Sequence, residues 1–306
     1  MTTISTSTGA FFDKSRTDMK ALRSQAESLQ SQLSSSSRLD RSSDNPVAAS
    51  RLRSLSRQET LSQIDTANAT RANADLTLAD SAMSDMADAI IRAQELATQA
   101  ASSTLTGEQR SAIGTELEQI NQNLLALSNA RDSSGHALFG GETSGDAYKL
   151  DAAGKAAYVG TASVEELPLG EGQSVTRSMT GPQFLGFTGK DGNPTDVMAT
   201  VKALSDALKT GSATSAAASD ALANLQTGLD TLSTGQTVVG TRLAWIELTG
   251  ERRADLSQLR STEQADIGGT DIASTMARLQ ETLTVLEASQ ASFSKLAGLS
   301  LFDQLR

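Results

Sequence analysis

One histidine and no cysteine leave this 306-residue chain few routes to covalent or metal chemistry. His136 lies in RDSSGHALFGG, with Asp132, Ser133 and Ser134 a few residues away. Histidine, carboxylate and hydroxyl are the parts of a nucleophilic triad, but a triad is defined by geometry rather than by adjacency along the chain. In such a Ser- and Gly-rich stretch His136 reads as an ordinary loop residue. A structural zinc site, built from four Cys and His ligands, is excluded. The glycine-rich stretches GFTGKDGNP and GEGQS invite a phosphate-loop reading. Neither matches G-x-x-x-x-G-K-[ST] between a strand and a helix, so both read as turns. Asp191, Asn193 and Asp196 could offer oxygens to calcium, but the 12-residue loop with its terminal Glu is missing. The expectation is a non-enzymatic protein with no catalytic, cofactor-binding or metal site.

Composition narrows the partners. The formal net charge is -10 and no lysine- or arginine-rich run is present, so no nucleic-acid partner is expected. The opening MTTISTSTGAFFDKSRTDMK lacks a charged head followed by an apolar run, and no stretch approaches the ~20 apolar residues of a membrane span. A cleaved signal peptide and a membrane partner are therefore not expected. Apolar residues make up 38% of the chain but aromatics only 3%, a balance that favours thin helices packed side by side over a thick globular core.

The elements follow from periodicity. Met19, Leu22, Ala26, Leu29 and Leu33 recur at spacings of three and four, one apolar seam on a helix. SSSSRLDRSSDNP interrupts it. Within this break Asp44, Asn45 and Pro46 form a helix-start joint: proline at the first helical position loses no hydrogen bond, and Asn or Asp before it can cap the free N–H groups. Leu76, Ala79, Met83, Met86, Ile90, Ala93, Ala97 and Ala100 then hold helical spacing, predicting a helix from about Pro46 to Ala101, roughly 80 Å long. Thr106 and Gln109 read as a capping box for the next helix, which carries Ile113, Leu117, Ile120, Leu124 and Leu127 and folds back on its predecessor. Arg51, Arg53, Arg57 and Glu59 form a charged helix surface, by default solvated.

From about Arg131 to Pro194 the grammar changes. Three of the four prolines, both tyrosines and 12 of the 23 glycines fall here, which marks short strands joined by turns. Helical patterning resumes at Val197, Val201, Leu204 and Leu208, continues from Leu222 to Ile246, and ends on a terminal helix. There Ile272, Met276, Leu279, Leu283, Leu286 and Phe293 form a seam, followed by Leu301 and Phe302. The expected architecture is mainly α with a small β-rich insert: a terminal coiled-coil layer (1–42 with 268–306), a long antiparallel helical bundle (43–132 with 196–267) and a central β subdomain (133–195). Burying each leucine contributes roughly 1.5–3 kcal/mol. Two terminal helices with five or six apolar seam residues each therefore favour pairing, with one another or with neighbouring molecules, and the terminal layer is expected to order on assembly.

The layout resembles the flagellin superfamily across nearly the whole chain and, within it, the family of hook–filament junction proteins. Ser43-Asp44-Asn45-Pro46-Val47-Ala48-Ala49-Ser50 is similar to that family's S-D-D-P-x-A-A-S, with Asn45 where Asp is common. Ala130-Arg131-Asp132 followed by Leu138-Phe139-Gly140-Gly141 matches its exit from the helical hairpin. Tyr158-Val159-Gly160, Val175 to Gly181 and Ser300 to Leu305 fit its insert and its ending, while Arg38-Leu39-Asp40 replaces a Gly-containing turn. The resemblance implies an extracellular structural protein of the bacterial flagellum, exported without a cleaved signal peptide and met by an export chaperone beforehand. It implies a homo-oligomeric ring of about eleven copies, with the first hook-associated protein on the hook side and flagellin on the filament side. A filament-forming flagellin and, from another class, a signalling coiled coil are the alternative readings.

Overall fold

The computed structural model describes the backbone of residues 3–39 and 41–303 and the side chains of residues 9–39 and 41–296. Along the chain run α1 (Thr3–Ser35), α2 (Pro46–Ala100), α3 (Gly107–Ser128), β1 (Tyr148–Leu150), β2 (Ala156–Tyr158), β3 (Glu166–Gly170), β4 (Gln173–Thr176), α4 (Gly181–Leu185), β5 (Gly186–Thr188), β6 (Pro194–Asp196), α5 (Val197–Lys209), α6 (Ser215–Gly268) and α7 (Ile272–Asp303). The fold is mainly helical with a small β insert. Two compact units emerge, residues 1–60 with 255–306 and residues 61–254, and the divisions fall inside α2 and inside α6.

In the larger unit every residue of the α2 stripe from Leu76 to Ala100 is buried, along with Leu117, Leu124, Val197, Val201, Leu204, Leu208, Leu225, Leu232 and Val239. The helical spacing of those residues therefore identifies the core directly. α3 begins on the expected capping box: the Thr106 hydroxyl accepts from Gln109 N–H at 3.3 Å, and Gln109 Oε1 accepts from Thr106 N–H at 2.9 Å. α3 then packs on α5, where Gly114 leaves room for a close crossing. The Ser205 hydroxyl donates to the Gly114 carbonyl at 2.7 Å, and a Cβ on Gly114 would lie 2.9 Å from the Ser205 carbonyl oxygen.

The β segment is three separate antiparallel hairpins, β1–β2, β3–β4 and β5–β6, rather than one sheet. Two-stranded hairpins are marginal alone, so each must pack on helices. Aromatic residues supply that packing. Phe139 and Phe184 are fully buried with ring centroids 4.8 Å apart, and Tyr148 meets Tyr158 edge-on at 5.3 Å. Asn129 at the C-cap of α3 holds β1 twice, donating to the Tyr148 carbonyl and accepting from its N–H, both at 2.9 Å.

A buried ion cluster ties the insert down. Arg177, just past β4, donates to Asp132 at 3.0 Å and lies 3.3 Å from Glu165 and 3.5 Å from Asp75 of α2. The Asp75 and Asp132 side chains are only 3% and 1% exposed, yet their environments differ. Burial, stronger than the pull of Arg177, lifts the Asp75 carboxyl above the usual range. Burial pushes Asp132 up as well, but the N–H groups of His136 and Ser134 and then Arg177 outweigh it and hold Asp132 below that range.

Asp75 binds its proton more tightly in the folded protein than in the unfolded chain. Its contribution to stability is complete below the ordinary carboxylate range and is lost as pH rises through its raised value; Asp132 acts oppositely, losing its contribution as pH falls through its lowered value. Asp75→Asn is thus expected to raise the thermal midpoint at pH 7, because Arg177 retains two other carboxylates, and Asp132→Asn to lower it. Thermal unfolding between pH 3 and pH 8 measures both. A second expectation concerns Gly235 of α6, where a Cβ would lie 2.7 Å from Met83 Cε and 2.8 Å from Phe184 Cβ. Alanine gains about 0.5–1 kcal/mol as a helix former, but overpacking costs about 1–3 kcal/mol. Gly235→Ala should therefore lower the midpoint in a denaturant titration.

Candidate assembly interface

The smaller unit contains the terminal helices and the joint between the first two. At the joint Pro46 opens α2 and the Asn45 side chain caps it, accepting from Ala48 N–H at 3.1 Å. Asp44 closes the turn before it, accepting from Arg41 N–H at 2.8 Å. On the same stretch of α2, Arg51 makes a fork with Glu263 of α6 at 2.6 and 2.8 Å, and Glu59 accepts from Ser257 and faces Arg260. The charged surface read from the sequence is therefore partly spent on contacts between α2 and α6.

α1 and α7 run antiparallel. Arg38 N–H donates to the Gly268 carbonyl at 2.8 Å and Thr270 N–H to the Ser36 carbonyl at 3.3 Å, which fixes the register at one end. Phe12 and Phe293 meet edge-to-face at 5.3 Å toward the other. Asp271 starts α7, its carboxylate accepting from Ala273 and Ser274 N–H groups. α1 turns Phe12, Met19, Leu22, Ala26, Leu29 and Leu33 inward, fully or partly buried. α7 answers with Thr275, Leu279, Thr282, Leu286, Ser289 and Phe293.

Of the residues expected at an assembly surface, Met19, Leu22, Leu29, Leu33, Leu279, Leu286 and Phe293 thus line the seam within the chain. Ile272, Met276 and Leu283 are exposed, Met276 at 54%. Leu301 and Phe302 lie outside the described side chains. Sequence reasoning passed over Thr275, Thr282 and Ser289 because they are polar. Their spacing of seven was the available signal, and the Thr282 hydroxyl satisfies itself on the Arg278 carbonyl at 2.7 Å.

The residues first considered for chemistry serve structure. His136 Nδ1 lies 3.5 Å from Asp132, whose oxygens are already used by loop N–H groups and Arg177. GEGQS forms the β3–β4 turn, in which Gly170, Glu171 and Gly172 all take positive φ. GFTGKDGNP is the β5–β6 hairpin, its turn held by Asp191 accepting from Asn193. Asp196 caps α5 through Ala199 N–H at 2.7 Å. Among the described residues no cluster of three His, Cys, Asp or Glu side chains could hold a metal ion, and no helix is long and apolar enough to cross a membrane.

Paired terminal helices, long helices and a hairpin insert define a mainly helical protein with a small β insert. Residues 7–144 match the family described as the bacterial flagellin N-terminal helical region. Over its length it is similar to flagellar hook-associated protein 3 of Escherichia coli (strain K12), 28% identical over 288 residues that cover 89% of this chain and 90% of that one. The same protein of Salmonella typhimurium is 27% identical over 301 residues, covering 92% and 93%. The crystal structure of the flagellar junction protein FlgL from Legionella pneumophila shares the fold, with a TM-score of 0.58 and 14% identity, over 71% of this chain and 99% of that one.

Core and surface roles within the α1–α7 pair can be separated. Leu286→Ala, at a position 9% exposed, should destabilise the pair by about 2–4 kcal/mol. Met276→Ala should change its stability by less than about 0.5 kcal/mol. Hydrogen exchange of the α1 and α7 amides in the isolated chain reads both.

Proposed function

We propose that this chain is a non-enzymatic structural subunit of the bacterial flagellum, placed where the hook meets the flagellin filament. The observation that carries the reading is the extent of the similarity. It runs through about nine-tenths of both this chain and flagellar hook-associated protein 3, well past the N-terminal helical region common to flagellins. That extent favours a junction subunit over a filament-forming flagellin.

In this role the terminal layer, residues 1–42 and 268–306, forms the core of a closed ring of identical copies, about eleven by the resemblance. The first hook-associated protein lies on one side and flagellin on the other. An export chaperone holds the chain before secretion, which proceeds without a cleaved signal peptide to an extracellular position. Exposed Ile272, Met276 and Leu283 support the assembly role, since a row of apolar side chains in water gains by burial against a neighbour. Leu301 and Phe302 extend the proposed surface toward the end of the chain.

Labelled protein on isolated flagella is expected as one band at the hook–filament boundary; label along the whole filament would instead identify a flagellin. Deleting residues 1–40 or 270–306 should abolish the band while residues 61–254 keep their cooperative thermal transition.

A further inference from the structure

The chain has no cysteine, so its seven methionines are its only sulfur. Six of them lie within the described side chains, and packing divides them sharply. Met83, Met86, Met179 and Met198 are buried in the core of the larger unit. Met19 is partly buried in the α1–α7 seam, where grooves of about 360 Å³ reach it from both sides. Met276 of α7 is 54% exposed. Its neighbour Thr275 is buried, while Ile272 and Leu283, four residues before it and seven after, share its exposed side of the helix.

A thioether is apolar and flexible, and a two-electron oxidant makes it polar. The sulfur of Met276 can attack the terminal oxygen of a peroxide. The S–O bond forms as the O–O bond breaks, and the hydroxyl proton passes to the departing oxygen. Sulfur is oxidised to the sulfoxide and the peroxide is reduced to an alcohol, or to water when it is hydrogen peroxide. Met276 offers its sulfur to solvent without any movement of the fold, whereas the core methionines are reached only through local opening of the larger unit. The product is a polar oxygen in the middle of an apolar row. In the free chain that oxygen stays hydrated. Against a neighbouring subunit it must give up its water, and Ile272 and Leu283 have no hydrogen bond to offer in return.

We infer that Met276 is an oxidation-sensitive control point: a peroxide converts it selectively to the sulfoxide in the free chain, and the modified chain keeps its fold but is barred from the assembly. This rests on the assembly role proposed above for Ile272, Met276 and Leu283, and adds a modification that regulates it. Met19 is the competing site, and the two are separable. An oxygen on Met19 enters the seam and loosens the α1–α7 pair, whereas one on Met276 leaves that pair intact.

Purified full-length chain is treated with hydrogen peroxide and followed by peptide mass spectrometry. Met276 should reach half conversion at least about tenfold sooner than Met83, Met86, Met179 or Met198. Hydrogen exchange of α1 and α7 should be unchanged once Met276 is converted. Added to cells that lack this protein, the converted chain should give about one-tenth of the labelled hook–filament band of untreated chain. Met276→Leu, apolar but without sulfur, should keep its band after the same treatment. Met276→Gln, polar from the start, should lose it without peroxide. Conversion of Met276 no faster than that of the core methionines would overturn the inference. So would an undiminished band from the converted chain or from Met276→Gln. A band lost equally by peroxide-treated Met276→Leu would also overturn it and place the damage at Met19. Absence of a band for the untreated chain would overturn the junction role, and this inference with it.

Discussion

Two antiparallel helices can bury only one stripe each, and much of what this chain does follows from that limit. A single seam between α1 and α7 consumes Met19, Leu22, Ala26, Leu29 and Leu33 on one side and Leu279, Leu286 and Phe293 on the other. Among the described residues none within the pair covers Ile272, Met276 or Leu283. Apolar side chains that a third helix would bury in a globular bundle, among them Ile272, Met276 and Leu283, stay in water.

The larger unit solves the opposite problem and closes on itself. Its stripe of alanines and methionines on α2 lets helices approach closely, and Gly114, Gly228 and Gly235 remove Cβ atoms where a neighbour comes closest. At Gly228 an added Cβ would lie 2.7 Å from Val197 and 3.1 Å from Phe187, so the hairpins reach α6 only because that side chain is missing. Phe139, Phe184 and Tyr148 then fill the space between insert and helices. The scarce aromatics are concentrated where short strands could not be stable alone.

Charge is used differently in the two places. In the larger unit Arg177 gathers carboxylates from α2, from the loop after α3 and from the approach to β3. A buried cluster of this kind contributes little net stability, but it fixes which strand end meets which helix. On the α1–α7 pair the described charges are exposed. There they add little to the stability of one chain.

Helix positions, the capping box at Thr106 and the buried stripe from Leu76 to Ala100 were legible because local periodicity and end chemistry are written in adjacent residues. The first four strands were legible from their turns. β5 and β6 were not, because GFT and PTD are too short to show alternation and read as part of a glycine-rich turn. The α7 seam was legible at Leu279, Leu286 and Phe293 but not at Thr275, Thr282 and Ser289, which carry no apolar signal although their hydroxyls can bond within the helix. The sequence by itself thus determined the helices, their faces and the absence of thiol chemistry, all properties of neighbours along the chain. Only the tertiary structure decided that Asp75 and Asp132 share Arg177 on unequal terms, and that α7 buries Thr275 and Thr282 while leaving Met276 and Leu283 exposed. Both depend on which distant residues the packing brings face to face, and no local pattern encodes that.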